Sequence, residues 1–112
     1  MSSVQEVRSV YSPNVAFVDN DSNGGTDIEL VAAVTGYRIV VDTLVVSVSA
    51  TTTGFFLESG ASTVIFPTCC FAANSTTQID DPFVRTTSGA ALTFSATITG
   101  NISVFVRYHL ES

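Results

Sequence analysis

Apolar and polar side chains alternate with a period of two along most of this chain, and this pattern constrains the fold most. In residues 90–98 the even positions are all apolar and the odd positions are mostly hydroxyl-bearing. Residues 102–110 repeat the alternation. A β-strand points successive side chains to opposite faces, whereas a helix would repeat every 3.6 residues or so. The pattern therefore predicts strands along nearly the whole chain.

Glycine and proline residues divide the alternation into about eight segments. Short strands separated by regular turns are typical of an all-β sandwich or barrel. About eight antiparallel strands in two sheets favour a jelly-roll-like sandwich. The strongest segments are residues 28–34, 37–49, 54–58, 63–66, 90–98 and 102–110, and the weaker ones are residues 4–11, 15–18 and 76–79.

Two turns in the sequence predict β-hairpins. One joins residues 54–58 to 63–66 around Gly60, and the other joins residues 90–98 to 102–110 around Gly100. Glycine can adopt positive φ in such turns at no steric cost. Residues 37–49 carry β-branched side chains on both faces, which predicts a central strand covered on both sides.

The length of the chain fits one domain, and its composition indicates more apolar surface than one chain can bury. One hydrophobic core serves about 100–150 residues, so residues 13–112 are predicted as a single β-sandwich domain and residues 1–12 as an N-terminal arm or edge strand. Apolar residues make up 46% of the chain and charged residues only 12%. Because a small domain has a large surface for its volume, this apolar excess predicts a homo-oligomer or a permanent partner.

The charge of the chain argues against two classes of partner. The net charge is −6, with four arginines and no lysine. Such a chain cannot neutralise many phosphates, so binding to nucleic acid or to an anionic membrane is not expected. No run of residues approaches the roughly 18 apolar residues of a membrane-spanning helix.

Residues 19–24 fit the first half of a calcium-binding loop. Asp19, Asp21 and Asn23 alternate as oxygen ligands in that pattern, and Gly24 follows where the loop turns sharply. The twelfth position, which should be a bidentate Glu, is Leu30. A turn rich in Asn, Asp and Gly between two strands explains the same residues without a metal. The turn is therefore favoured, and calcium is the alternative.

Residues with catalytic chemistry are scarce, so no enzyme and no cofactor are expected. Asp80 and Asp81 precede Pro82 and are interpreted as a turn rather than an acid–base pair. His109 is the one candidate general base, and no nucleophile elbow accompanies it. Cys69 and Cys70 are adjacent, which makes a disulfide framework improbable; both are expected to be small buried hydrophobes.

Contacts with other chains are expected at two places. The phenylalanine rings, that of Phe83 included, are expected mainly in the core. Phe55 and Phe56, however, are adjacent and must point to opposite faces of a strand, so one ring is surplus to the core and could anchor an interface. The N-terminal arm offers the other contacts. Its apolar residues are Val4, Val7, Val10 and Tyr11.

Several segments together resemble small β-sandwich virion proteins of tailed bacteriophages. These are residues 28–41 (IELVAAVTGYRIVV), 56–60 (FLESG), 83–94 (FVRTTSGAALTF) and 104–108 (VFVRY). A Thr before a Gly-x-Ala-Leu strand and a Gly before a final Tyr-containing strand recur in that group. The resemblance covers roughly residues 27–110.

The resemblance implies a structural component of a virus particle. It points to a capsid decoration or cement protein, often trimeric, that contacts the major capsid protein on the outer capsid surface. The alternatives are a fibre-tip or lectin-like module that binds a receptor or glycan, and a structural subunit of the tail or neck.

Overall fold

A computed structural model describes residues 14–20, 24–60 and 63–112, and these residues form eight β-strands. No helix occurs in this part of the chain, and hence none that could cross a membrane. The strands are β1 (Asn14–Asn20), β2 (Gly24–Val31), β3 (Arg38–Val48), β4 (Thr52–Ser59), β5 (Thr63–Phe71), β6 (Ser75–Arg85), β7 (Leu92–Ile98) and β8 (Ile102–Glu111).

The strands form two antiparallel four-stranded sheets. The first sheet has the order β1-β8-β3-β6 and the second has the order β2-β7-β4-β5. Only β4 and β5 are consecutive in the chain and also neighbours in a sheet; every other connection passes from one sheet to the other. This wrapping of eight strands is the jelly-roll arrangement, and the predicted fold class is confirmed.

The two predicted hairpins have different outcomes. The Gly60 hairpin is confirmed, since Ser59 pairs with Thr63 across β4 and β5. The Gly100 hairpin is wrong, because β7 lies in the second sheet and β8 in the first. Alternation reports which face of a strand is buried, and strands that face each other across a core alternate in the same way as strands that pair.

The connection at Gly100 instead packs against the one between β3 and β4. The Ser49 N–H donates to the Asn101 carbonyl at 3.0 Å, and the Asn101 N–H donates to Ser49 Oγ at 2.8 Å. Gly100 has a φ of 149°, and a Cβ there would lie 2.7 Å from Ser49 Oγ. Glycine is therefore required by close approach as well as by conformation.

Inward-facing side chains of both sheets form one core. At its centre the Phe55 ring is 5.6 Å from the Phe71 ring in an edge-on arrangement and 5.8 Å from the Phe94 ring, measured between centroids. Offset and edge-on aromatic pairs add about 0.5–1.5 kcal/mol beyond the area they bury. The even-numbered positions that the alternation assigned to one face of β7 and β8 are buried here as far as Val106, with Ile102, for example, fully covered, whereas Tyr108 and Leu110 are half-buried.

The strands β5 and β6 are longer than predicted, because both continue through a proline. Pro67 lies in β5 and Pro82 in β6, and each strand is at the edge of its sheet. Proline lacks an N–H donor, which is tolerated at an edge. The turn expected at Asp80 and Asp81 is instead an irregularity within β6, where Asp81 has φ 48° and Phe83 has φ 58°.

Candidate functional site

The outer face of the first sheet carries a row of mainly apolar side chains that are exposed or half-buried. Strand pairing aligns Phe17, Phe105, Val45 and Gln78 across β1, β8, β3 and β6. Phe17 is 62% exposed, and Val15, two residues earlier on the same side of β1, is 55% exposed. We refer to Val15, Phe17, Val45 and Phe105 as the apolar face. Large apolar side chains grouped on a surface mark interaction sites more often than single exposed ones do.

A hydrogen-bonded polar row borders the row of Phe17 on one side and ends at Val15, which pairs with Arg107. Arg107 Nη2 donates to Thr43 Oγ1 at 3.1 Å, and Thr43 Oγ1 donates to Asp80 Oδ1 at 3.4 Å. Gln78 Nε2 also donates to Asp80 Oδ1, at 3.2 Å. Together with part of the apolar face these residues line a shallow groove of about 340 Å³.

A second polar row borders the other side. Ser103 Oγ donates to Asp19 Oδ1 at 3.0 Å, and the hydroxyls of Ser47 and Thr76 are 3.0 Å apart. The pairing of β1, β8, β3 and β6 places these four residues in one line. An apolar centre with hydrogen-bonded polar margins is the usual anatomy of a protein–protein interface.

Every arginine of the described residues lies on the first sheet, as does His109. Arg85 Nη1 is 3.4 Å from Glu111 Oε1, and His109 Nδ1 is 2.9 Å from Asp42 Oδ1. The hydrogen bond to Asp42 raises the pKa of His109 above its ordinary value, although partial burial opposes the shift. The cations of this sheet therefore offset much of the charge on its carboxylates.

The outer face of the second sheet is lined by hydroxyl groups. A groove of about 600 Å³ there contains one aromatic ring, that of Phe56, which is half-buried. No charged side chain lines it. The lining residues are Gly25, Thr26, Thr51, Thr53, Phe56, Ser95, Ala96, Thr97, Ile98 and Thr99.

Beside this groove lies a buried carboxyl group, that of Glu58. Glu58 is 5% exposed, and its Oε1 accepts a hydrogen bond of 2.9 Å from Ser95 Oγ. The Asp27 backbone N–H donates to the same Ser95 Oγ at 2.9 Å, and the Asp27 carboxyl is within hydrogen-bonding reach of Glu58. Burial raises the pKa of Glu58 above its ordinary value; the Ser95 hydrogen bond opposes this shift, and Asp27 adds to it.

The predicted contact residues are divided by the structure. Phe55 and Phe56 do point to opposite faces, but Phe55 is fully buried in the core and offers no surface to a partner. The interface assignment is therefore wrong for Phe55, and for Phe56 it stays a prediction. The contacts assigned to the arm (Val4, Val7, Val10 and Tyr11) lie outside the described residues.

The calcium prediction also stays untested. Asp19 ends the polar row with its hydrogen bond from Ser103, while Asp21 and Asn23 lie outside the described residues. Within residues 14–20, 24–60 and 63–112, no group of three or more His, Cys, Asp or Glu side chains is arranged to hold a metal ion.

Two expectations about burial need correction. Cys69 is half-buried but Cys70 is exposed, because adjacent residues of β5 point to opposite faces. Burial raises the pKa of the Cys69 thiol, and the thiol donates to the Phe55 carbonyl at 3.6 Å. Phe83, expected in the core with the other rings, is 90% exposed at the irregularity in β6.

Residue chemistry alone did not single out the apolar face or Glu58. Residues 15–18 are all apolar, and that pattern already showed that both faces of the strand carry apolar side chains. This apolar outward side of residues 15–18 was the signal in the sequence that could have predicted the apolar face. Glu58 gave none, because a lone acid in a strand looks the same in sequence whether neighbouring residues bury it or not.

No family model matches the chain, and no curated protein does. Among solved structures, the chain is similar to the Tobacco streak virus coat protein at 8% identity and a TM-score of 0.31, covering 84% of this chain and 85% of that one. A structure of the coat protein dimer matches at 7% identity and a TM-score of 0.31, covering 86% of both chains.

Proposed function

We propose that this protein is a non-enzymatic structural component of a virus particle, most specifically a capsid decoration or cement protein. The observation that carries the proposal is the jelly roll with an apolar face on the outside of one sheet. Jelly rolls build viral capsid and lectin domains. The sequence resemblance to small phage virion proteins supports the same role and implies a trimer bound to the major capsid protein.

Such a protein would act by adding buried surface between neighbouring capsid subunits. Each 100 Å² of apolar surface that leaves water contributes about 2.5 kcal/mol at 25 cal/mol per Å², which would oppose the pressure of packaged DNA. The net charge of −6 supports an outer position, because DNA would repel the protein inside the capsid. No bond is made or broken in this role.

The proposal is tested by locating the protein in purified particles of the virus that encodes it. Gold-labelled antibody against the folded protein is expected on the outside of the head. Label on the tail, neck or fibre would replace the decoration role with a structural role elsewhere in the particle. Particles that carry neither label nor the protein by mass spectrometry would overturn the proposal.

The role of the arm can be tested in the same system. Deleting residues 1–12 is expected to weaken attachment to capsids that lack the protein, while the circular dichroism spectrum stays that of the full chain. Phe83→Ser, an exposed change on an edge strand, is the control that should bind normally. Normal decoration by the truncated protein would show that the arm is not the contact.

The hydroxyl-lined groove favours one other function, recognition of a neutral sugar. Threonine and serine hydroxyls can exchange hydrogen bonds with sugar hydroxyls, and the Phe56 ring offers an apolar surface. Binding on a glycan array that Phe56→Ala abolishes would favour a fibre-tip or lectin-like module. Loss of that binding in a chelator would additionally implicate residues 19–24, whose sequence fits the first half of a calcium-binding loop.

A further inference from the structure

We propose that the apolar face of the first sheet is where copies of this chain pack against one another. This inference rests on the proposed function, which assumes an oligomer. It specifies which surface forms the oligomer and what that surface binds. The occupant is a second copy of the same face, not the capsid protein. The apolar face consists of Val15, Phe17, Val45 and Phe105, as defined above.

The first argument is the order of the rows across the face. The apolar row lies between the row that contains Arg107 and Asp80 and the row that contains Asp19. Suppose that a second copy is turned over by a two-fold rotation about the direction of the apolar row. Its strands then run in the opposite direction, and its apolar row lies on the apolar row of the first copy. The same rotation places the Asp19 row of each copy over the Arg107 row of the other.

The charges in these rows make that arrangement complementary. Each strand then lies over its own copy, so Arg107 on β8 faces the partner's Ser103, and Asp19 on β1 faces the partner's Val15. Because β1 and β8 are neighbours, each arginine lies one strand away from the partner's acid. Asp80 then faces the Thr76 hydroxyl, because both belong to β6. Opposite charges at a contact favour the correct register, and like charges there would oppose it.

The second argument is the distribution of charge between the sheets. Two chains with a net charge of −6 repel each other, so they should meet where their acids are already offset. On the first sheet Arg85 pairs with Glu111, and His109 pairs with Asp42. The strands of the second sheet carry Asp27, Glu29 and Glu58 and no cation. Self-association through the first sheet therefore meets less repulsion.

The experiment compares two phenylalanines on the first sheet. Phe17→Glu places a charge in the apolar face, and Phe83→Glu places the same charge at a ring that is 90% exposed but lies outside that face. The molar mass of each full-length protein is measured by light scattering during gel filtration over a range of concentrations. Circular dichroism melting shows that each variant is folded.

A contact that lays one face on itself joins two copies, so the wild type and Phe83→Glu are expected at two chains. Phe17→Glu is expected at one chain, with a dissociation constant at least tenfold higher. If Phe17→Glu does not fold, Val45→Thr replaces it, because threonine keeps the shape and strand preference of valine. A monomeric wild type at every concentration overturns the inference. So does an oligomer that Phe17→Glu leaves intact, or one that Phe83→Glu dissociates equally.

Failure of this inference can be told from failure of the proposed function. An oligomer that depends on Phe17 but is absent from virus particles would support the proposed interface and contradict the capsid role. The opposite result is a protein that is found on the capsid and is monomeric in solution, and whose Phe17→Glu variant decorates capsids normally. That result would support the capsid role and contradict the proposed interface.

Discussion

The outer faces of the two sheets differ in chemistry, although the sheets have equal strand number and share one core. The first presents valine and phenylalanine between hydrogen-bonded polar rows, and the second presents threonine and serine around one half-buried ring, that of Phe56. Removing apolar surface from water lowers the free energy, whereas hydroxyl groups already form hydrogen bonds with water or, like Ser95, with neighbouring residues. The outer face of the first sheet is therefore the one whose burial against a partner would be stabilising.

The difference is visible within a single strand of each sheet. In β3 the inward Val46 is buried, and the outward Val45 beside it is also apolar and half-buried. In β7 the inward Phe94 is buried, while its neighbours Thr93 and Ser95 are hydroxyl-bearing. Strand β3 was predicted to be covered on both sides. It is an inner strand of its sheet as expected, with β8 and β6 as neighbours, and its outer side is only partly covered within one chain.

The largest expected effect establishes the difference between the core and an outer face. Phe55→Ala should lower the free energy of unfolding by about 3–5 kcal/mol, because it empties a fully buried ring site between Phe71 and Phe94. Phe56→Ala on the same strand should cost much less. Urea denaturation of both variants checks this, and equal losses would show that the outer face of the second sheet is packed as tightly as the core.

The next effect separates the two outer faces from each other. Phe105→Ala, in the apolar face, should remove the rise in melting temperature with protein concentration that self-association produces. Phe56→Ala, which truncates a half-buried ring of the second sheet, should retain that rise. Differential scanning calorimetry over a hundredfold concentration range makes the measurement. Retention of the rise in both variants would show that the apolar face does not carry the self-association.

A smaller effect concerns the buried acid of the second sheet. Since the pKa of Glu58 is raised in the folded state, ionising it opposes folding as the pH rises above the ordinary value of 4.5. Glu58→Gln should therefore be more stable relative to the wild type at pH 7 than at pH 4, measured by urea denaturation.

The control for that measurement is Glu29→Gln, which removes the same charge from an exposed position on the same sheet. If the two substitutions change stability alike at both pH values, net charge explains the result and burial of Glu58 does not.

The smallest effect concerns the ion pairs of the first sheet. The pKa of His109 is raised by Asp42, so the stability gained from the pair is complete below the ordinary value of 6.5 and is lost as the pH rises through the folded-state pKa. His109→Gln should cost a few tenths of a kcal/mol at pH 6 and nothing at pH 9, because exposed pairs are weak. Added salt should reduce the cost at pH 6; a cost that persists at pH 9 would assign His109 a packing role instead.

The sequence was sufficient for the fold class but not for the pairing of strands. Period-two alternation assigned Leu92 and Ile102 to buried faces correctly. It could not show that β7 and β8 lie in opposite sheets, because both arrangements bury the same positions. Pro82 suggested a turn, because a turn and an edge strand that bends at a proline have the same local composition. Pairing depends on contacts between distant residues, which local patterns do not contain.

The candidate site was predicted only in part, and for a related reason. The pair at Phe55 and Phe56 was correctly divided between two faces, but which ring entered the core depended on the register of β4 against β7. The apolar face depends on four strands that are far apart in the chain. Its row from Phe17 to Gln78 exists only once β1, β8, β3 and β6 are side by side.

The position of β8 between β1 and β3 has a consequence for synthesis of the protein. Asn14 pairs with Tyr108, so β1 has no neighbour in its sheet until the last strand has been made. At about 5–20 residues per second, a ribosome needs roughly 5–20 s to supply that strand. During this interval the edges of β1 and β3 that β8 will fill are open to other chains. We expect the yield of folded protein to depend on how well chaperones, or a low synthesis temperature, protect the nascent chain until its eighth strand emerges.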